Sequence, residues 1–321
     1  MEGKIIAREK LVKQLLLFMK GKIMAITIQN HELQVTLKAL GATMTSITDS
    51  QGVEYLWQGD PTYWGGQAPI LFPICGSVRN DCVIYRPAQA PHFTGIIPRH
   101  GFVRHKTFDY DYISDSSVRF TIKSSKEMLI NYPYRFSLEI TYTLRNKSIA
   151  ITYIVKNLES EKNMPYAIGA HPGFNCPLFE KEVFSDYYLE FEQFETCTIP
   201  ESFPDTGLLD LQARHPFLEN QKQLSLNHAL FEKDAITLDQ LRSKTVYLKS
   251  RNHAKGIQLD FDDFENLILW TSNNGGPFLA LEPWSSLSTS IEESDILEDK
   301  QNIVRLNPKQ SKQHSIRITI L

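Results

Sequence analysis

The chain has little cysteine: four in 321 residues, at Cys75, Cys82, Cys176 and Cys197, with no CxxC pair. Lacking that spacing and any cysteine–histidine ligand cluster, it offers no structural zinc site, and no metal is expected. So few thiols, without a disulfide framework, point to a reduced, cytoplasmic compartment. There is no run of 18 apolar residues, so no membrane-spanning helix is expected. The net charge of −3 leaves no basic excess for a nucleic-acid surface. Helical periodicity is also scarce. Beyond the N-terminal segment no stretch keeps a 3.6-residue period, and strands do not alternate with helices, which excludes a parallel βαβ sheet. Linkers, low-complexity tracts and tandem repeats are absent.

What remains is a chain that is 42% apolar and 22% charged, enough for a large core, with a dominant period of two. Leu33, Val35 and Leu37 alternate with polar neighbours, as do Val118, Phe120 and Ile122. Leu138 to Leu144 and Ile149 to Val155 flank Arg-Asn-Lys-Ser and read as a long hairpin. Further alternating or apolar stretches run through 189–191, 246–248, 257–261, 267–270, 278–281 and 316–320. The pattern predicts an all-β fold, a large antiparallel β-sandwich with under about a fifth of its residues helical. One domain is expected over 24–321, with surface loops at 85–98 and 200–226. Residues 1–23 stand apart as a short basic amphipathic segment without the apolar core of a signal peptide. They read either as a helix packed on the domain or as a leader upstream of a true start at Met24.

Two stretches share one design. Residues 166–175 (Tyr-Ala-Ile-Gly-Ala-His-Pro-Gly-Phe-Asn) carry one imidazole to a break made by Pro172 and Gly173. Residues 278–284 (Phe-Leu-Ala-Leu-Glu-Pro-Trp) end an apolar strand in one carboxylate, then proline and an aromatic. Two more stretches place polar groups beside glycine or proline: Phe-Pro-Ile-Cys-Gly-Ser-Val-Arg-Asn at 72–80 and Arg-His-Gly-Phe at 99–102. Each key residue also has a purely structural alternative. Arg79 could be a solvated loop charge, His100 a turn cap, His171 a backbone-satisfied histidine and Glu282 the partner of a surface lysine.

Taken together, these four stretches resemble the aldose 1-epimerase (galactose mutarotase) family, particularly its bacterial mutarotase-like branch, over residues 24 to about 320. The resemblance implies a large antiparallel sandwich and interconversion of the α and β anomers of a free aldose by ring opening and reclosure. One acid and one base suffice, with no cofactor. By motif match His171 is the acid on the ring oxygen and Glu282 the base on the C1 hydroxyl, and Arg79 and His100 hold sugar hydroxyls. Trp284, Trp64 and Trp270 are candidates for stacking on the sugar, with core the favoured role for Trp270. An acid and base that straddle C1 are expected roughly 5–8 Å apart, with all four polar residues in one cleft.

The match has departures. His100 is followed by Gly101-Phe102, where galactose mutarotases have two glycines, and the family's hydroxyl-binding aspartate has only Asp260 as a candidate. A basic cluster of Arg99, Arg104, His105 and Lys106 supports a second enzymatic reading, a hexose-6-phosphate 1-epimerase. The third reading is a non-catalytic carbohydrate-binding protein, against which stands the presence of both His171 and Glu282. The expected partner is a small aldose, phosphorylated or not, bound by a monomer or homodimer. A chain beginning at Met24 is expected to keep its fold and activity. Loss of soluble expression on truncation would instead mean that residues 1–23 pack on the sandwich.

Overall fold

The computed structural model describes residues 25–86 and 93–321, so the expectation for residues 1–23 lies outside the described residues. Of the described residues, 52% are strand and 7% helix, as the period-two pattern predicts. No helix among them is long and apolar enough to cross a membrane.

The larger sheet has nine strands. From edge to edge they are Leu208–Ser225, Tyr187–Phe203, Thr245–Ser250, Gly256–Asp260, Ser311–Ile320, Ser148–Asn157, Phe136–Arg145, Ser117–Lys123 and Asp109–Ser114. The predicted hairpin lies within it: Phe136–Arg145 pairs with Ser148–Asn157 across a two-residue turn, where Asn146 takes the positive φ that asparagine tolerates. A second sheet runs Ile236–Leu238, Asn266–Trp270, Phe278–Trp284, Gly169–Ala170 and Ile70–Leu71, with Gly173–Asn175 also on Phe278–Trp284. A three-stranded meander covers residues 26–49.

Alternation explains how the sheets meet. Leu138, Ile140 and Tyr142 point inward from the nine-stranded sheet, and Leu267, Leu269, Leu279 and Leu281 from the second sheet join the same apolar core. Residues of opposite parity on the second sheet, Ile268 and Trp284, pack with Leu71, Cys75 and Leu209 in a separate cluster on its other face. That outer face carries the candidate site.

The stretch at 200–226 is not a loop. It belongs to a hairpin of 17- and 18-residue strands, Tyr187–Phe203 and Leu208–Ser225. Its distal half has much exposed surface, and its pairing register shifts four times, so no clean alternation survives to be read. Pro216 sits on the sheet's edge strand, where a missing N–H is tolerated. Within 85–98, Phe93–Ile96 is likewise a strand, paired with Cys82–Tyr85.

Leu281 is fully buried in the core while its neighbour Glu282 faces the other way. Leu281→Ala is expected to cost about 2–5 kcal/mol of stability in urea unfolding. A loss below about 1 kcal/mol would show that this face of the sheet is not packed against the core.

Candidate active site

The strand Phe278–Trp284 organises the site. On its outer face Glu282 and Trp284 stand two residues apart, so they project the same way. The histidine stretch pairs with this strand on both sides of a break: Gly169 lies opposite Trp284, and Gly173 opposite Ala280. Pro172 cannot donate to the ladder, although its carbonyl still accepts from the Leu281 N–H at 3.1 Å. Counting inward from both pairings puts His171 opposite Glu282 as a cross-strand pair. Ile268 faces Glu282 from the other neighbouring strand.

The two glycines make room for aromatics. A Cβ on Gly169 would lie 3.0 Å from the Trp284 ring, and one on Gly173 would lie 2.9 Å from the Trp64 ring. Trp64 stacks on the His171 imidazole with centroids 4.7 Å apart, and the edges of Trp270 and His100 close two further sides at 5.6 and 5.4 Å. Glu282 is 1% exposed and His171 7%. Their polar atoms meet, with His171 Nε2 3.3 Å from Glu282 Oε2. Trp284 Nε1 donates to the same carboxylate oxygen at 3.2 Å.

Burial sets the electrostatics, because a charge removed from water is disfavoured on either partner. It pushes the His171 imidazole down to about 3, and Arg104 adds to the effect. It holds the Glu282 carboxyl well above the usual carboxylate range, with the Trp284 N–H opposing and the Asp234 charge assisting. Burial therefore favours a neutral imidazole facing a protonated carboxyl. His100 is also held neutral by burial, with His171, Arg104 and Arg99 assisting. The Gly76 N–H donates to His100 Nδ1 at 3.2 Å, which leaves Nε2 as the N–H of the neutral ring. His100 adopts a φ of +66°, and its own N–H is fixed on the Gly76 carbonyl at 2.7 Å.

These groups line a cavity of about 300 Å³ that also takes in Trp64, Trp270, Asp234, Arg99, Arg104, Ser77 and Ser288. Its outer wall is Ser202, Phe203, Gly207, Leu208 and Leu209, contributed by the turn end of the long hairpin.

The sequence expectations fare unequally. His100, His171, Glu282, Trp284 and Trp64 come together here, and so does Trp270, which lines the cavity instead of filling the core. Arg79 does not line it. Its guanidinium is spent on the turn at 290–295, pairing with Asp295 and donating to the carbonyls of Ser290, Ile291 and Glu293. Asp260 lies on the nine-stranded sheet, where it accepts from Thr245 and Gln258 at 2.9 and 2.8 Å. Lys106 pairs with Glu127, and His105 is exposed, so neither faces the cavity. The 3.3 Å separation of His171 and Glu282 is shorter than the expected 5–8 Å, because cross-strand pairing brings the two side chains into contact. Two oxygens bonded to one carbon are closer together than a hydrogen bond is long, so both groups can approach from one side.

Asp234 is the residue that sequence reasoning missed. It has a φ of +80° at the start of Ile236–Leu238 and accepts from Trp270 Nε1 at 3.0 Å. Neither its backbone conformation nor its tryptophan partner, 36 residues away, leaves a local pattern.

Comparison with known proteins bears on the family and the fold. The sequence model of the family described as aldose 1-epimerase matches residues 24–316. A Lactococcus lactis protein named LacX is 58% identical over 298 residues, 93% of this chain and 100% of that protein. A galactose mutarotase-like protein from Lactobacillus casei is 30% identical with a TM-score of 0.81, over 93% of this chain and all of that one. A galactose mutarotase related enzyme from Lactobacillus acidophilus has a TM-score of 0.86 at 26% identity, over 93% and 97% of the two chains. The chain belongs to the aldose 1-epimerase family.

Proposed function

We propose that the protein is an aldose 1-epimerase in which His171 and Glu282 exchange protons with a sugar bound in the cavity. The observation that carries this reading is the buried contact of 3.3 Å between His171 Nε2 and Glu282 Oε2 in the wall of a cavity also lined by Asp234, His100 and three tryptophans. A lectin needs a shaped, polar cavity but has no use for a buried acid and base in contact in its wall.

In the reaction, His171 Nε2 gives its proton to the ring oxygen as the C1–O bond breaks and that bond's electrons move to the oxygen. The C1 hydroxyl proton passes to Glu282, and C1 becomes a carbonyl. Rotation about C1–C2 presents the other carbonyl face, and reclosure returns both protons. No cofactor enters the balance. Before opening, the proton must sit on His171, which the direct contact with Glu282 allows. The hydrogen bond from Trp284 Nε1 favours the ionised carboxylate in that state. After opening, His171 is neutral and Glu282 protonated, the distribution that burial favours. Burial therefore favours the pair's state after opening, and moving the proton back to His171 before the next opening costs the same free energy. Asp234 and the neutral His100 are suited to hold sugar hydroxyls, and Trp64 and Trp270 to keep the imidazole and the sugar's apolar face dry.

Anomer exchange of glucose and galactose, followed by exchange NMR, tests the reading. Glu282→Gln and His171→Asn are each expected to slow exchange by about 10²–10⁴-fold while sugar binding persists. Parent-like exchange by Glu282→Gln would remove Glu282 as the base, and Asp234 would be the next carboxylate to test.

The pH profile follows from burial. The pair works with one proton. A second is taken up by His171 at about 3, and the last is released only above the ordinary carboxylate value of 4.5. In the profile of kcat/KM, activity is therefore expected to persist through pH 4.5 and decline only towards about 3, with folding monitored by circular dichroism at each pH. An acid limb at 4.5 or above would mean that the pair is solvated during turnover.

A further inference from the structure

Two guanidinium groups share the cavity wall without a counter-charge. Arg99 and Arg104 both line it, and neither has a carboxylate within ion-pair distance among the described residues. Arg214, by contrast, is paired bidentately with Asp239. Arg99 Nε donates to Ser77 Oγ at 2.8 Å, and its terminal nitrogens donate to no described residue. Arg104 Nη2 donates to the Arg99 carbonyl at 2.9 Å, while its Nε is buried with no hydrogen-bond partner. Like charges held side by side, with a buried donor unsatisfied, are unfavourable unless an anion joins them.

Neither arginine touches the carboxylates of the cavity: Glu282 meets His171 and Trp284, and Asp234 meets Trp270, whereas Arg99 is held on Ser77 and Arg104 on the Arg99 carbonyl. The hairpin turn closes over Arg99. Gly207, at a φ of +68°, comes so near that a Cβ would lie 2.2 Å from Arg99 Nη2 and 2.4 Å from Ser77 Oγ. The guanidinium is thus confined between the turn and Ser77.

We propose that Arg99, Arg104 and Ser77 seat an anionic substituent of the sugar, a phosphate ester at the end of the aldose remote from C1. This deepens the epimerase reading and rests on it for the orientation of the sugar. A phosphate monoester carries about −1.5 to −2 charges and three acceptor oxygens, enough for both forks and the serine hydroxyl. A carboxylate at the same carbon has one charge and two oxygens, which a single guanidinium satisfies.

The test compares anomer exchange of a hexose 6-phosphate, the corresponding hexuronate and the neutral hexose. For the parent protein kcat/KM should favour the 6-phosphate by at least about tenfold over the other two. Arg99→Gln and Arg104→Gln should each lower the 6-phosphate value by roughly ten- to a hundredfold and reduce its ratio to the neutral hexose correspondingly. Arg99→Lys, which keeps charge but not the fork, should fall between. Binding is read separately by calorimetry on Glu282→Gln protein. Hexose 6-phosphate and inorganic phosphate should bind there, and each arginine substitution should weaken both by a similar factor. A parent that prefers the neutral hexose or the hexuronate overturns the proposal, as do arginine variants that slow all three sugars equally. If the parent exchanges no sugar, the epimerase reading fails, and the calorimetry still decides whether the arginines hold phosphate.

Discussion

One contact governs the rest of the site: an imidazole and a carboxylate facing each other across an interrupted ladder, both out of water. Cross-strand geometry puts His171 opposite Glu282, and Pro172 interrupts the ladder between the two short strands that flank the imidazole. Because neither group can reach bulk solvent, charge on either is costly, and burial favours a neutral imidazole facing a protonated carboxyl. A solvated pair at the same distance would be coupled far more weakly.

The remainder of the fold serves to keep that pair dry and oriented. The core face of Phe278–Trp284 is locked against the nine-stranded sheet through Leu279 and Leu281, so the outer face is rigid. Trp64, Trp270 and Trp284 wall the pair, and two of these indole N–H groups find carboxylate partners, Glu282 and Asp234. Aromatic rings here exclude water while their polar edges place charge.

The opposite wall is built at a distance. Arg79 ties down the turn at 290–295, and Leu209 exchanges backbone hydrogen bonds with Thr289 and Ile291 beside it. Through that chain of contacts Arg79 steadies the long hairpin whose turn roofs the cavity, without touching its interior. Ser288, one residue before Thr289, donates shape as well, since its hydroxyl accepts from the Ser77 N–H at 3.0 Å. A charged residue in a motif can thus be essential to the shape of a site it does not line.

The sheet architecture was legible in the sequence because side-chain alternation records burial directly: each buried face writes every second residue. His171, Glu282, His100 and Trp284 were legible for a related reason, since glycine and proline mark where strands end and side chains meet a cavity. Arg79 and Asp260 were misplaced because residue type and local motif do not say which way a long or short polar side chain turns, and each found a closer partner. The hairpin at 187–225 was hidden because bulges and exposure on both faces erase alternation. The bond between Asp234 and Trp270 and the 3.3 Å contact depend on residues far apart in the chain. By itself the sequence determined the fold class and which stretches end at the cavity, because these follow from local periodicity and its glycine and proline breaks. Only the tertiary structure decided which polar groups share the cavity, because that depends on register between distant strands and on competition among hydrogen-bond partners that no local pattern encodes.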